Sequence, residues 1–241
     1  RADRHPRPLA LYARLEAAIA LFAALTPLLL AASRAAYLAL GGSLALGPVV
    51  GTLARLLLSA LVLLVPTLLM GGTLPAAARE VEGRGDARRR ATAFLYGANT
   101  LGAVTGAVLA TFYGFERLGN RGTLFAACAL NLAVALVAWL LSRRSALVAV
   151  AASEEQAPPA GPPPPRRFVL AACGIVGFAF FLLELVWYRM LWPLLGGSVF
   201  TFGLILATAL FGIALGGLAY ALVGRDRGAT LLGFSVTCLL E

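Results

Sequence analysis

Six stretches of about 20 mostly apolar residues, parted by short polar or arginine-bearing segments, leave this chain few ways to fold. They run Leu9–Leu30, Val49–Met70, Thr92–Tyr113, Thr123–Leu141, Phe168–Trp192 and Val199–Val223, and a seventh begins at Ala229. Each is continuous and rich in Leu and Ala, whereas barrel strands alternate apolar and polar residues over about ten positions. In lipid every backbone N–H and C=O needs a partner, and an α-helix supplies one within the segment itself. The expected fold class is therefore all-α, a polytopic transmembrane helical bundle. Composition agrees, since only 13% of the residues are charged against about a quarter in a soluble domain.

The basic side of the charge balance is arginine alone, with no lysine. Arg1, Arg4 and Arg7, then Arg79, Arg84, Arg88, Arg89 and Arg90, then Arg143, Arg144, Arg166 and Arg167, then Arg225 and Arg227, fall in alternate loops. The opposite loops hold little beyond Arg34, Arg117 and Arg121. By the positive-inside rule the rich loops are cytoplasmic. The net charge of +9 is thus a topology signal, and nucleic acid is not an expected partner. The lipid bilayer is. The Ala, Leu, Gly, Pro and Arg usage points to a GC-rich bacterium, hence to a bacterial cytoplasmic (inner) membrane.

One linker stands out. Residues 145–167 contain Glu154-Glu155-Gln156 and Pro162-Pro163-Pro164-Pro165, a solvated, semi-rigid spacer on the cytoplasmic side. It separates residues 1–144, the latter part of a first helical half with four membrane helices, from residues 168–241, the start of a second half. A loose repeat relates Asp3-Arg4 and Glu16 to Asp226-Arg227 and Glu241. It makes the runs helices three to nine of a twelve-helix architecture. The chain opens on Arg1 and closes inside an apolar stretch, so the expectation is a fragment covering about seven helices.

An ionisable group at mid-membrane costs about 2.5–3.5 kcal/mol on insertion scales, so each needs a reason. The segment Glu184-Leu185-Val186-Trp187-Tyr188-Arg189 is the richest. Glu184 and Arg189 lie about 140° apart around a helix. Either Glu184 lines a polar cavity for a cation or proton with Arg189 as counter-charge, or the two form a structural pair near the outer end of the helix, with Arg189 snorkelling. Glu16 takes an interhelical hydrogen bond or a cavity role, Arg55 snorkels, and Asn99 and Asn131 are polar glue between helices. Small residues at Ala98, Gly102, Gly106 and Ala110, and at Gly212 and Gly216, predict close helix approach on those faces. Gly71-Gly72-Thr73-Leu74-Pro75 predicts a helix end or break.

Cys128, Cys173 and Cys238 lie far apart, each in an apolar run and none near His5. They carry no metal or redox motif and are expected to pack as small apolar side chains. No phosphate loop, catalytic triad or paired solvent-facing carboxylates occur, so neither cofactor nor catalytic residue is expected in this segment.

The short loops Ala2-Asp3-Arg4-His5-Pro6-Arg7 and Gly224-Arg225-Asp226-Arg227 resemble the Asp-Arg loop of the major facilitator fold. That resemblance makes Asp3, Arg4, Asp226 and Arg227 a candidate cytoplasmic gating loop, bracing helix ends during alternating access. Three further segments are Pro66-Thr67-Leu68-Leu69-Met70-Gly71-Gly72-Thr73-Leu74-Pro75, Leu95-Tyr96-Gly97-Ala98-Asn99-Thr100-Leu101-Gly102-Ala103, and Glu184 to Arg189 with Gly196-Gly197-Ser198. Together they resemble the membrane domain of bacterial proteins in which a major-facilitator-like domain is fused to a spermidine synthase-like (polyamine aminopropyltransferase-like) domain. The resemblance implies that the soluble domain, with its aminopropyl-donor pocket, lies outside this chain as a partner in cis.

Three functions stay open at this point. The chain anchors that domain and supplies it with a small cationic, polyamine-like metabolite; it belongs to a stand-alone secondary transporter; or it is a purely structural anchor with a dry interior. In the first, Glu184, Glu16, Asn99 and Trp187 line the cavity, Trp187 offering a π face to the cation.

Overall fold

The computed structural model describes residues 7–81, 87–148 and 166–223, and every element among them is helical. Helix α1 is Pro8–Ala39, α2 Gly42–Val81 and α3 Ala87–Leu109, the last continued by a π-helical turn, Ala110–Gly114, and a short helical turn, Phe115–Arg117. Helices α4, Gly119–Val148, α5, Arg166–Leu195, and α6, Val199–Val223, follow. Six helices are long and apolar enough to cross a membrane. Their outward faces are leucine-rich, with Leu53, Leu56, Leu57, Leu61 and Leu68 of α2 each more than half exposed. Water does not tolerate such a surface; hydrocarbon does. The protein is a multi-pass membrane protein. The seventh run, the Asp3-Arg4 and Asp226-Arg227 loops, Cys238 and most of the proline-rich linker lie outside the described residues.

The helices group into two compact units. In the first, α1 packs on α2 and α4. Ala13, Glu16, Ile19 and Ala20 are its buried residues on α1, and Cys128, Ala135, Ala138 and Ser142 those on α4. The α4 set, with half-buried Asn131, falls at alternating steps of three and four, the seam spacing of closely packed helices. Cys128 packs there as the small apolar group expected of it, whereas Cys173 is exposed on α5.

In the second unit, α6 lies between α3 and α5, packing on both. Its partner face on α3 is Gly97, Thr100, Val104, Ala107, Thr111 and Gly114, again at steps of three and four, with Gly97, Thr100, Thr111 and Gly114 buried. Gly217 meets Gly97 at one end and Gly203 meets Thr111 at the other, so the two helices run antiparallel. This corrects the predicted stripes. Gly102, Gly106, Gly212 and Gly216 are exposed, with open space where a side chain would sit. Their strict four-residue spacing drifts around the helix, while a seam shared by two long helices repeats every 3.5 residues.

The predicted break at Gly71–Pro75 is absent too, since α2 runs through it to Val81. Pro75 sits inside the helix, as membrane helices tolerate proline better than soluble ones do. Beside Pro66, Thr67 Oγ1 donates back to the carbonyls of Leu63 at 2.8 Å and Leu64 at 3.1 Å, the local back-bonding usual for threonine inside a helix. The real kink lies at Gly47, with φ 67° and ψ −179°. Pro48 disfavours helical geometry at its predecessor, and only glycine takes this conformation without strain. Gly47→Ala is expected to lower stability by about 1–3 kcal/mol, measured as the shift in unfolding midpoint of the purified protein; an unchanged midpoint would mean the kink is not set at this residue.

Candidate functional site

Glu184 occupies the one position on α5 where a charged side chain is deeply buried, at 3% exposure. It lies roughly 16 Å before the helix ends at Leu195, at about 1.5 Å per residue, which puts it near the middle of a hydrocarbon core about 30 Å thick. Of the two readings open from the sequence, only the structural pair places it nearer the outer end. Phe180 and Tyr188, one turn before and one turn after, share its face and are half-buried. Tyr188 stands edge-on to Phe202 of α6, ring centroids 5.9 Å apart, and against Trp192 at 5.6 Å. The hairpin is closed by Thr201, whose hydroxyl donates to the carbonyls of Leu195 and Gly196 at 3.2 and 3.3 Å. Aromatic packing and this clip hold the Glu184 face of α5 toward α6.

The carboxylate itself is not satisfied. Glu184 Oε1 is buried without a hydrogen-bond partner among the described residues. Arg189 is exposed on another face and makes no ion pair with it. An orphaned buried carboxylate costs several kcal/mol if charged.

Trp187 and Asn99 do not gather around Glu184. Trp187 is 42% exposed and turned off its face. Asn99 is exposed on α3, beside the seam rather than on it. Glu16 belongs to the first unit, where it is buried. It accepts a hydrogen bond from the hydroxyl of Tyr12, one turn back on its own helix. Neither alternative for Glu16 included that intrahelical partner. Arg55 reaches back along α2, its Nε donating to the Gly51 carbonyl at 3.2 Å and its Nη2 to Thr52 Oγ1, with the guanidinium over the Tyr37 ring.

Two features escaped the sequence reading. The carboxylate of Glu80, near the end of α2, accepts a hydrogen bond from the Leu9 backbone N–H at 3.3 Å. It satisfies one of the first-turn donors that every helix leaves open, and places negative charge at the positive end of α1. Only the acidic residue in an arginine-rich stretch hinted at it. The π-helical turn at Ala110–Gly114 is the second. It turns Thr111 and Gly114 into the α6 seam and sets Phe112 against Phe200 at 5.8 Å. No composition signal marks it. At the far end of α4, Arg143 lies 3.8 Å over the Trp139 ring, an aromatic–arginine pair of the kind that anchors helices at a membrane interface.

No family model, curated protein or solved structure matches this chain.

Proposed function

We propose that this chain is the membrane module of a spermidine synthase-like fusion protein and that Glu184 receives a small organic cation of polyamine type. The observation that carries the reading is the buried, unpartnered Oε1 of Glu184 in an otherwise apolar helix. A structural anchor with a dry interior would need Glu184 and Arg189 to satisfy each other, and the exposure of Arg189 counts against it. An amine meets the carboxylate through a charge-assisted hydrogen bond, and the Tyr188 ring one turn away adds a π face. The polyamine class and the soluble domain in cis rest on the resemblance carried by Pro66–Pro75, Leu95–Ala103 and Glu184–Arg189. In this reading the arginine-rich helix ends and the proline-rich linker face the cytoplasm of a bacterial inner membrane, where the soluble domain would take up what the module delivers.

The test is uptake of radiolabelled spermidine into proteoliposomes carrying the purified chain. Saturable uptake several-fold above protein-free vesicles, competed by unlabelled polyamines and not by neutral solutes, is expected. Uptake no greater than that of protein-free vesicles would sink the transport reading.

A further inference from the structure

The α1–α4 seam closes only over part of its length. The buried residues of α1 stop at Ala20, and those of α4 begin at Cys128. Beyond these, toward the arginine-poor ends, the helices leave an open groove of about 380 Å³. Pro27, Leu30 and Leu124 line it together with Asn120, Arg34 and Arg121, and the surface it presents is mostly apolar. Both arginines are exposed, and no carboxylate lines the groove. Two cationic residues on one groove with no carboxylate beside them favour an anion there. The first turn of α4, which starts at Gly119, adds the positive end of a helix on the same side.

We propose that this groove binds an anionic phospholipid of the leaflet opposite the arginine-rich loops. The phosphodiester sits between Arg34 and Arg121, with Asn120 beside it, and an acyl chain lies over Leu30, Leu124 and Pro27. The mostly apolar lining of the groove selects a lipid over a soluble anion: a free phosphate would use the arginines and leave Pro27, Leu30 and Leu124 bare. Arg34 lies roughly 8 Å before the end of α1 at Ala39, at 1.5 Å per residue, which is the depth of a headgroup rather than of the hydrocarbon centre. Guanidinium pairs suit this ligand because their planar donors bind phosphate oxygens two at a time.

The test is native mass spectrometry of the purified chain, titrated with phosphatidylglycerol and with chain-matched phosphatidylcholine. One phosphatidylglycerol per chain is expected to be retained where phosphatidylcholine is stripped. The double variant Arg34→Gln/Arg121→Gln should lose that retention by about tenfold or more. Arg55→Gln, outside the groove, should keep it. Equal retention of the two lipids, or an unchanged double variant, would overturn the proposal. Displacement of the lipid by millimolar inorganic phosphate would overturn it in favour of a free-anion site. Should the double variant not fold, the thermal midpoint of the unmodified chain decides. A bound ligand raises it, so it should rise with phosphatidylglycerol and not with phosphatidylcholine; equal effects of the two lipids refute the site.

Discussion

Glu184→Gln is expected to reduce polyamine uptake by about tenfold or more, the loss of roughly 1.4 kcal/mol of cation binding, without lowering the unfolding midpoint of the protein. The two readouts separate the roles this residue could play. A carboxylate held in a structural ion pair is strongly destabilised by neutralisation, by about 3–5 kcal/mol, because its partner is left buried and charged. Glu184 has no such partner, and its Oε1 is unsatisfied. Removing the charge therefore removes a penalty, and the midpoint should hold or rise. Glu184→Asp, which keeps the charge on a shorter stem, should retain part of the uptake. Uptake unchanged in Glu184→Gln would show that the cation is held elsewhere. A midpoint that falls by several degrees would return Glu184 to a structural role.

The second large effect is expected at Gly203. A Cβ built there would overlap the Thr111 side chain, with its Cγ2 at 2.7 Å and its Cβ at 2.9 Å. Threonine is short and branched at Cβ, so it cannot swing its bulk aside as a long side chain would. The two helices must part or the π-helical turn must shift. Gly203→Val should cost about 1–3 kcal/mol or more, read as a lower unfolding midpoint in detergent. Thr111→Ala should recover part of that loss, because residues in direct contact couple by about 0.5–3 kcal/mol. Gly212→Val is the control: that position is exposed with nothing near it, and its midpoint should stay close to that of the parent. Equal effects at Gly203 and Gly212 would mean that α6 does not meet α3 along this seam.

Glycine marks both the correct and the mistaken parts of the sequence reading. Small residues at steps of four on α3 and α6 were evident along the chain, and close helix contact was rightly expected of those two helices. The face was wrong. The seam runs through Gly97, Thr100, Thr111 and Gly114, with Val104 and Ala107 between, where mixed residue types make the pattern less conspicuous. Gly71–Pro75 likewise looked like a break, yet helix tolerates it, while the quieter Gly47-Pro48 pair makes the kink. Proline kinks a helix where the residue before it can leave helical geometry, and glycine matters according to what lies across from it. The second of these is not written in neighbouring sequence.

The sequence by itself determined the helical membrane fold, because apolar runs of about 20 residues bounded by arginine can satisfy their backbone only as helices in lipid. It also singled out Glu184, since a carboxylate in such a run always requires explanation. Only the tertiary structure decided which charges are met. Glu16 finds Tyr12 on its own helix, Glu80 reaches the first turn of α1 from another, and Glu184 finds no partner among the described residues. Hydropathy sets how much apolar surface a helix carries, whereas a buried charge is settled by a few ångströms of side-chain geometry between helices distant in sequence.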